Sequence, residues 1–149
     1  MIRIFKLFAI FGALLGLINM TGCAAPEQKQ AGWKENVVYH VNDVANATGA
    51  LRNIKNHLKA NPQAHIVVVT HSKGIDFLLE GATDKNGNPY DVTVQELAKK
   101  GVQFDVCNNT LMGRHIDPKT VLPEATIVPS GVAEIAKLQS QEGYVYVKP

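Results

Sequence analysis

The chain has 149 residues, of which 46% are hydrophobic and 19% charged, a composition typical of one globular domain and not of a disordered or polytopic membrane protein. Its formal net charge is +2, and two of the positive charges, Arg3 and Lys6, fall in a segment that we expect to be removed. The remaining chain is formally neutral, which argues against nucleic acid as a partner because such binding depends on clustered basic side chains.

The N-terminal segment has the pattern of an export signal. A short basic start is followed by an apolar run over residues 7–18, which has signal-peptide length and is too short to cross a bilayer comfortably. The next residues, Met20-Thr-Gly-Cys23, resemble the bacterial lipobox, in which the cysteine becomes the lipidated first residue of the mature protein. We therefore expect a signal peptide over residues 1–22 and a lipid on Cys23.

Two alternatives to lipidation stay open, namely cleavage by the ordinary signal peptidase and an N-terminal anchor helix that is never cleaved. All three place the domain outside the cytoplasm. Ala24, where an aspartate would retain a lipoprotein in the inner membrane, favours a periplasmic protein anchored to the bacterial outer membrane. Residues 23–34 are mostly polar, with Pro and Gly among them, and are predicted to be a linker. The folded domain is expected over residues 35–149.

Two strand–helix units are predicted at the start of this domain. Residues 37–40 form a compact apolar run that predicts a buried strand, and the apolar spacing from Val44 to Leu58 predicts a helix. Residues 65–70 are almost continuously β-branched, which suits a strand covered on both faces. Ser72 is predicted to cap a short helix that ends near Gly81.

A loop and a further helix are predicted next. Residues 82–91 are rich in turn residues and are predicted to be a loop. Thr93-Val-Gln-Glu96 has the pattern of a capping box, with Val92 and Leu97 placed as a hydrophobic staple. Gly101 is predicted to follow the end of that helix.

The rest of the chain is predicted to add three strands, over residues 102–107, 126–129 and 144–148. Short helical turns are expected between the first two, one of them opened by Asp117-Pro118. Ser130 is predicted to cap the last helix and Gly143 to end it. Five strands alternating with helices predict an α/β fold with a parallel sheet and helices on both faces.

Polar and reactive side chains follow the predicted strands, at the edge where open α/β sheets bind ligands. The residues at the ends of the first four predicted strands are His40, Asn42, Asp43, His71, Ser72, Lys73, Gly74, Cys107, Asn108, Asn109, Thr110, Ser130 and Gly131. Cys107 stands at a strand-to-helix junction, where backbone N–H groups favour a thiolate and lower its pKa. If Cys23 is lipidated, Cys107 is the only free thiol of the mature chain. A buried cysteine that only packs as a small hydrophobic side chain is the competing interpretation.

Two blocks of the sequence resemble a known protein family. They are Gly101-Val-Gln-Phe-Asp-Val-Cys-Asn-Asn-Thr110 and Gln139-Ser-Gln-Glu-Gly-Tyr144. With the sequence between them they resemble the DsrE/DsrF-like family over roughly residues 37–149. The resemblance implies a three-layer α/β/α fold with a five-stranded parallel sheet, and a homo-oligomer. In the better-understood members it also implies a cysteine that carries sulfur as a persulfide between partner proteins, and Cys107 occupies the corresponding strand end.

The resulting hypothesis is a sulfurtransferase-like carrier that needs no cofactor. Cys107 would attack a polysulfide or a protein persulfide, hold the outer sulfur and pass it to a partner protein thiol. His71 or His40 would act as a base or stabilise the anion. Hydrogen bonds to the sulfur would come from residues after the strand: Asn108, Asn109 or Thr110.

Two other functions remain compatible with the sequence. Cys107 with His40 and His71 could form a soft-metal site, because thiolate and imidazole suit zinc or copper. Alternatively, the chain is an envelope-anchored oligomeric scaffold in which Cys107 only packs. Nucleotide, flavin and hydrolase functions are not supported, since G-x-G-x-x-G, P-loop and G-x-S-x-G motifs are all missing.

Overall fold

The computed structural model describes residues 32–149. The predicted signal peptide over residues 1–22, the predicted lipidation site Cys23 and most of the predicted linker lie outside these residues. Within the described part, no helix combines the length and the apolar character needed to cross a membrane.

The centre of the molecule is a five-stranded sheet, with strands in the order β4-β3-β2-β1-β5. The strands are β1 (Glu35–Val41), β2 (Ala64–Thr70), β3 (Gln103–Cys107), β4 (Ala125–Val128) and β5 (Val145–Val147). Every neighbouring pair is parallel. The parallel α/β fold predicted from the alternation of strands and helices is therefore confirmed, although β5 is shorter than predicted.

The connections between the strands contain four α-helices, which are α1 (Ala47–Ala60), α2 (Tyr90–Ala98), α3 (Asn108–Gly113) and α4 (Gly131–Glu142). Short 3₁₀ helices cover Val44–Asn46, Ser72–Leu78 and Pro118–Thr120. Ser130 and Gly143 take the positions predicted for them at the two ends of α4. The Ser130 hydroxyl accepts a hydrogen bond from the Ala133 N–H at 3.4 Å, and Gly143 has a φ of 70°.

The two faces of the sheet carry hydrophobic cores of different size. Successive side chains of a strand point to opposite faces, so one strand contributes to both cores. On one face, a large core forms between the sheet and the helices that follow β1, β2 and β3. On the other face, the smaller core consists of Val38, Val67 and Val69 packed against Tyr144 and α4. By the alternation along β3, Asp105 and Cys107 share this second face.

The predicted capping box at Thr93–Glu96 is wrong, because α2 begins earlier, at Tyr90. The Tyr90 ring is buried against Phe77, and its N–H donates to the Ala82 carbonyl, so tertiary packing fixes the start of the helix. Val92 is 63% exposed and so does not form the predicted staple. The Glu96 carboxylate pairs instead with Lys55 of α1 and with Lys100, which follows the end of α2.

The prediction that Ser72 caps the next short helix is also wrong, because His71 holds the cap position. Ser72 has a left-handed φ of 53°, and the segment that it opens is a 3₁₀ helix ending at Leu78. Gly74 allows this segment to pack closely against β1, because a Cβ at this position would clash with the Val41 carbonyl oxygen. Close packing of the turn against the end of β1 therefore determines its conformation.

Candidate functional site around Cys107

Cys107 lies at the carboxyl end of β3, close to the middle of the sheet. The last register pair between β2 and β3 joins Thr70 to Val106, so the residues that follow, His71 and Cys107, are neighbours on adjacent strands. Cys107 itself is in register with Val128 of β4. Because adjacent strands lie about 4.8 Å apart, this register alone brings the thiol and the imidazole into one site.

The first residue of α4, Gly131, closes over these two side chains. A Cβ at this position would lie 2.9 Å from the Thr70 carbonyl oxygen and 3.3 Å from the Cβ atoms of both Cys107 and His71. Any larger residue would push the start of α4 away from the sheet. The glycine thus allows its own N–H to reach the Cys107 sulfur as a hydrogen-bond donor.

The Cys107 side chain is buried, and several donors converge on its sulfur. Burial raises the pKa of the thiol, but the Gly131 N–H, the Thr110 hydroxyl and N–H, and the Asn109 N–H together outweigh this effect. The net result is a pKa below the ordinary value for cysteine. Hydrogen bonds to the charged form favour that form, so the site stabilises a thiolate.

Thr110 connects the thiol to the strained turn after β2. Its hydroxyl donates to Cys107 and accepts the Ser72 N–H at 3.0 Å. The Arg114 guanidinium, which is paired with Asp76, donates to the Ser72 carbonyl at 3.0 Å. The left-handed φ of Ser72 is thus held by contacts from α3 and the residue that follows it.

Two histidines face each other beside this turn. The Nε2 atoms of His40 and His71 are 2.7 Å apart, and the ring centroids are 4.8 Å apart. The other ring nitrogen of His71 lies 2.9 Å from the Ser72 hydroxyl, and that of His40 lies 2.7 Å from the Tyr146 hydroxyl. Four side chains from β1, β5 and the turn after β2 therefore form one hydrogen-bonded row.

The surroundings of this pair keep both imidazoles neutral at neutral pH. Burial, the neighbouring His71 and Lys148 lower the pKa of His40 to about 4. Burial and Lys148 also lower the pKa of His71. Since a neutral imidazole carries one N–H and one lone pair, one ring donates to the other across the short contact.

A surface cavity of about 450 Å³ opens beside the site. It is lined by Ser72, Lys73, Asp76, Thr110, Gly113 and Arg114. Thr110 therefore has one side towards the cavity while its hydroxyl contacts the Cys107 sulfur. A small sulfur compound, or the end of a partner segment, has room here, with Thr110 between it and the buried thiol.

A family model matches this chain over residues 26–149, described as the DsrE/DsrF-like family. The chain belongs to the DsrE/DsrF-like family. No curated protein matches it. A solved structure similar to it is that of MTH1491, a protein of unknown function from Methanobacterium thermoautotrophicum, with 29% identity and a TM-score of 0.69. That match covers 77% of this chain and 99% of the other.

A second similar structure, the ychN protein from E. coli, has 12% identity and a TM-score of 0.63. The match covers 78% of this DsrE/DsrF-like chain and all of the other, and at this identity it shows the fold alone.

The structure of this DsrE/DsrF-like chain brings most of the predicted site residues together. Thr110 and the Asn109 backbone donate to the Cys107 sulfur, and His71 adjoins Cys107. His40 joins the site through His71. The Asn108 side chain, predicted as a donor to the thiol, donates instead to the sulfur of Met112 at 3.4 Å.

The predicted soft-metal alternative finds no support in the placement of its ligands. Within residues 32–149, no group of three or more His, Cys, Asp and Glu side chains is arranged to hold a metal ion. The ring nitrogens of the two histidines are hydrogen-bonded to each other, to Tyr146 and to Ser72. The thiol accepts its hydrogen bonds from backbone and threonine donors.

Tyr146 and Asp105 were not predicted from the sequence, and Gly131 was placed at this edge without a role. A glycine directly after a predicted cap is a signal of close approach, and Gly131 carries it. Tyr146 contacts His40 only because β5 pairs with β1, a strand order that the sequence does not show. Asp105 was visible as a charge inside an apolar strand, two residues before Cys107 and on the same face.

Asp105 is a fully buried carboxyl group below the thiol. Its Oδ1 atom accepts a hydrogen bond from Gln103 at 2.9 Å, while Oδ2 has no partner within the described residues. Burial raises the pKa of this carboxyl to about 6, the Gln103 hydrogen bond opposes the rise, and the nearby Glu134 adds to it.

Proposed function

We propose that this DsrE/DsrF-like protein is an exported sulfur carrier that holds sulfane sulfur on Cys107 as a persulfide. The observation that carries the proposal is the set of donors from Gly131, Thr110 and Asn109, which lowers the pKa of a thiol placed next to an accessible cavity. The thiolate is the nucleophile of sulfur exchange, and a thiol attacks best when its pKa is near the ambient pH.

The transfer step needs no outside oxidant. The Cys107 thiolate attacks the outer sulfur of a donor persulfide, a bond forms between Sγ and that sulfur, and the sulfur–sulfur bond of the donor breaks. Its electron pair leaves with the inner sulfur as a thiolate, so Sγ is oxidised while the inner sulfur of the donor is reduced. A second thiolate, from an acceptor protein, repeats the exchange and regenerates Cys107.

The proposed location follows from the N-terminal sequence. A signal peptide over residues 1–22 and a lipid on Cys23 would place the carrier in the periplasm, anchored to the outer membrane. Cys107 is the only cysteine in the described part of the chain, and a lone thiol in an oxidising compartment has no intrachain disulfide partner. We also propose, from the family resemblance, that the protein is a homo-oligomer and that its donor or acceptor is a protein thiol.

The proposal is tested by intact-mass measurement after incubation with polysulfide. The full chain with Cys23→Ser, purified in detergent, has Cys107 as its sole thiol. We expect this protein to gain the mass of added sulfur and to lose it again on reduction. The matched protein that also carries Cys107→Ser should gain nothing.

The opposite result would mean that Cys107 has only a structural role in the core. If the parent protein gains no sulfur and its thiol is alkylated slowly even at mildly alkaline pH, the carrier function is abandoned. The burial of Cys107 favours the scaffold alternative in that case, because an inert cysteine then serves as a small hydrophobic side chain.

A further inference from the structure

The row of four side chains next to Cys107 runs from the cavity to an edge strand. Ser72, at one end, lines the cavity, and Tyr146, at the other end, is 39% exposed on β5. His71 and His40 lie between them, and the three contacts of the row measure 2.9, 2.7 and 2.7 Å. Contacts of this length are well-formed hydrogen bonds throughout.

Two complete arrangements of the protons satisfy this row. In one, Tyr146 donates to His40, His40 donates to His71, and His71 donates to the Ser72 hydroxyl. In the other, every donor becomes an acceptor and the direction is reversed. The two differ by the tautomer of both neutral imidazoles, so a switch between them moves a proton from one end to the other without leaving a charge on either ring.

Both ends of the row are placed where protons have to be exchanged. Ser72 shares the cavity lining with Thr110, whose hydroxyl contacts the Cys107 sulfur. The His71 backbone continues β2 directly beside Cys107. The hydroxyl of Tyr146 belongs to a side chain that reaches solvent. The row therefore links the exposed Ser72 at the cavity, one residue contact away from Cys107 through Thr110, to the Tyr146 hydroxyl on β5.

We infer that Ser72, His71, His40 and Tyr146 form a proton relay that protonates the thiolate leaving group when sulfur is transferred to Cys107. The inference rests on the proposed sulfur-carrier function and adds a general acid to its sulfur-transfer step. The Ser72 hydroxyl gives its proton to the leaving thiolate and is reprotonated by His71, His71 by His40, His40 by Tyr146 and Tyr146 by water. One persulfide, one Cys107 thiolate and one solvent proton thus become one Cys107 persulfide and one thiol.

The relay is tested by the rate of sulfur loading from a low-molecular-weight alkyl persulfide, followed by rapid quench and intact mass. In the full chain with Cys23→Ser, Tyr146→Phe and His40→Gln should each slow the loading about tenfold or more, up to the 10²–10⁴-fold that general acid catalysis contributes. Loading of the parent should be slower in D₂O than in H₂O, and the variants should lose this difference. All three proteins should reach the same final extent of loading.

The sheet offers a matched control outside the row. Tyr144 is a second tyrosine near β5 whose hydroxyl contacts a histidine, the Nδ1 atom of His65, at 3.3 Å. Tyr144→Phe removes an equivalent hydroxyl and should leave the loading rate and its solvent isotope effect as in the parent.

Alkylation of Cys107 by iodoacetamide separates a relay from a structural role, because the leaving iodide needs no proton. The relay variants should be alkylated at the parent rate while their sulfur loading is slow. Equal slowing of both reactions, or unchanged loading in Tyr146→Phe and His40→Gln, overturns the relay and leaves the carrier intact. A parent protein that takes up no sulfur overturns the carrier and the relay together.

Discussion

At the scale of single residues, the site contains one carboxyl group whose burial lacks full compensation. Asp105 is completely buried and its Oδ2 atom has no hydrogen-bond partner within the described residues. The charged groups that face it are Glu134 and Lys137 of α4, which act on its pKa in opposite directions. Because burial dominates and raises the pKa to about 6, the ionised carboxylate is unfavourable in the folded protein.

This carboxyl makes the free energy of unfolding depend on pH. Between the ordinary aspartate pKa of 3.8 and the pKa of about 6 in the folded protein, the folded protein binds more protons at Asp105 than the unfolded chain does. The contribution of Asp105 to stability is therefore present at low pH and is lost as the pH rises through about 6. A shift of this size corresponds to a loss on the order of 1–3 kcal/mol.

Asp105→Asn should remove this dependence, since the amide resembles the protonated acid in shape and cannot ionise. We expect the difference in unfolding free energy between variant and parent to move in favour of the variant by about 1–3 kcal/mol from pH 4 to pH 7. Urea unfolding followed by circular dichroism at several pH values measures it. A difference that stays constant over this range contradicts the raised pKa.

At the scale of the elements, the approach of α4 to the sheet depends on one glycine. Gly131→Ala would place a Cβ 2.9 Å from the Thr70 carbonyl oxygen and 3.3 Å from two other Cβ atoms. We expect a loss of about 1–3 kcal/mol of unfolding free energy, as for an overpacked core. The start of α4 should also move away from Cys107 and withdraw the Gly131 N–H, so the pKa of the thiol should rise. Thermal unfolding and the pH dependence of alkylation measure the two effects.

Gly49 provides the matched control, because it lies inside α1 and a Cβ there would meet nothing within 4 Å. Gly49→Ala should stabilise the protein by about 0.5–1 kcal/mol through helix propensity and leave the thiol pKa unchanged. The account of α4 fails if Gly131→Ala behaves like Gly49→Ala in both measurements.

The same elements show which features of this chain are visible in its sequence. The β-branched run of β2 and the signals at Ser130 and Gly143 depend on neighbours close along the chain, and each predicted its element well. The start of α2 could not be predicted in this way. It depends on burial of Tyr90 against Phe77, a contact that exists only after the chain has folded.

The residues of the site also differ in whether local sequence patterns predict them. Cys107, His71 and His40 were predicted because each lies at or directly after the end of a predicted strand, and the strand ends of a parallel sheet share one edge. The contact between the two imidazoles and the addition of Tyr146 require β1 to lie between β2 and β5, which no local pattern indicates. The approach of the Gly131 N–H to the thiol likewise requires α4 to pack over the ends of β2 and β3.

At the scale of the whole molecule, the proposed lipid anchor has a direct test. The wild-type chain, expressed in a bacterium and extracted with detergent, should have Cys23 as its first residue, with a mass increased by acyl chains. Cys23→Ser should prevent the modification and leave the protein uncleaved. A mature wild-type protein of unmodified mass would contradict lipidation and favour the ordinary signal peptidase. Native mass spectrometry of the same extract reports whether it forms the proposed homo-oligomer.

A sheet whose strands are all parallel has a direction, and with the proposed lipid anchor this direction would determine which way Cys107 faces. The described chain enters the sheet at Glu35, the first residue of β1, whereas the thiol lies at the end where the strands finish. The seven residues of β1 span roughly 23 Å at about 3.3 Å per residue. A tether attached before β1 would therefore hold the strand beginnings towards the lipid surface. Cys107, His71 and their cavity would point into the aqueous space, within reach of proteins diffusing there.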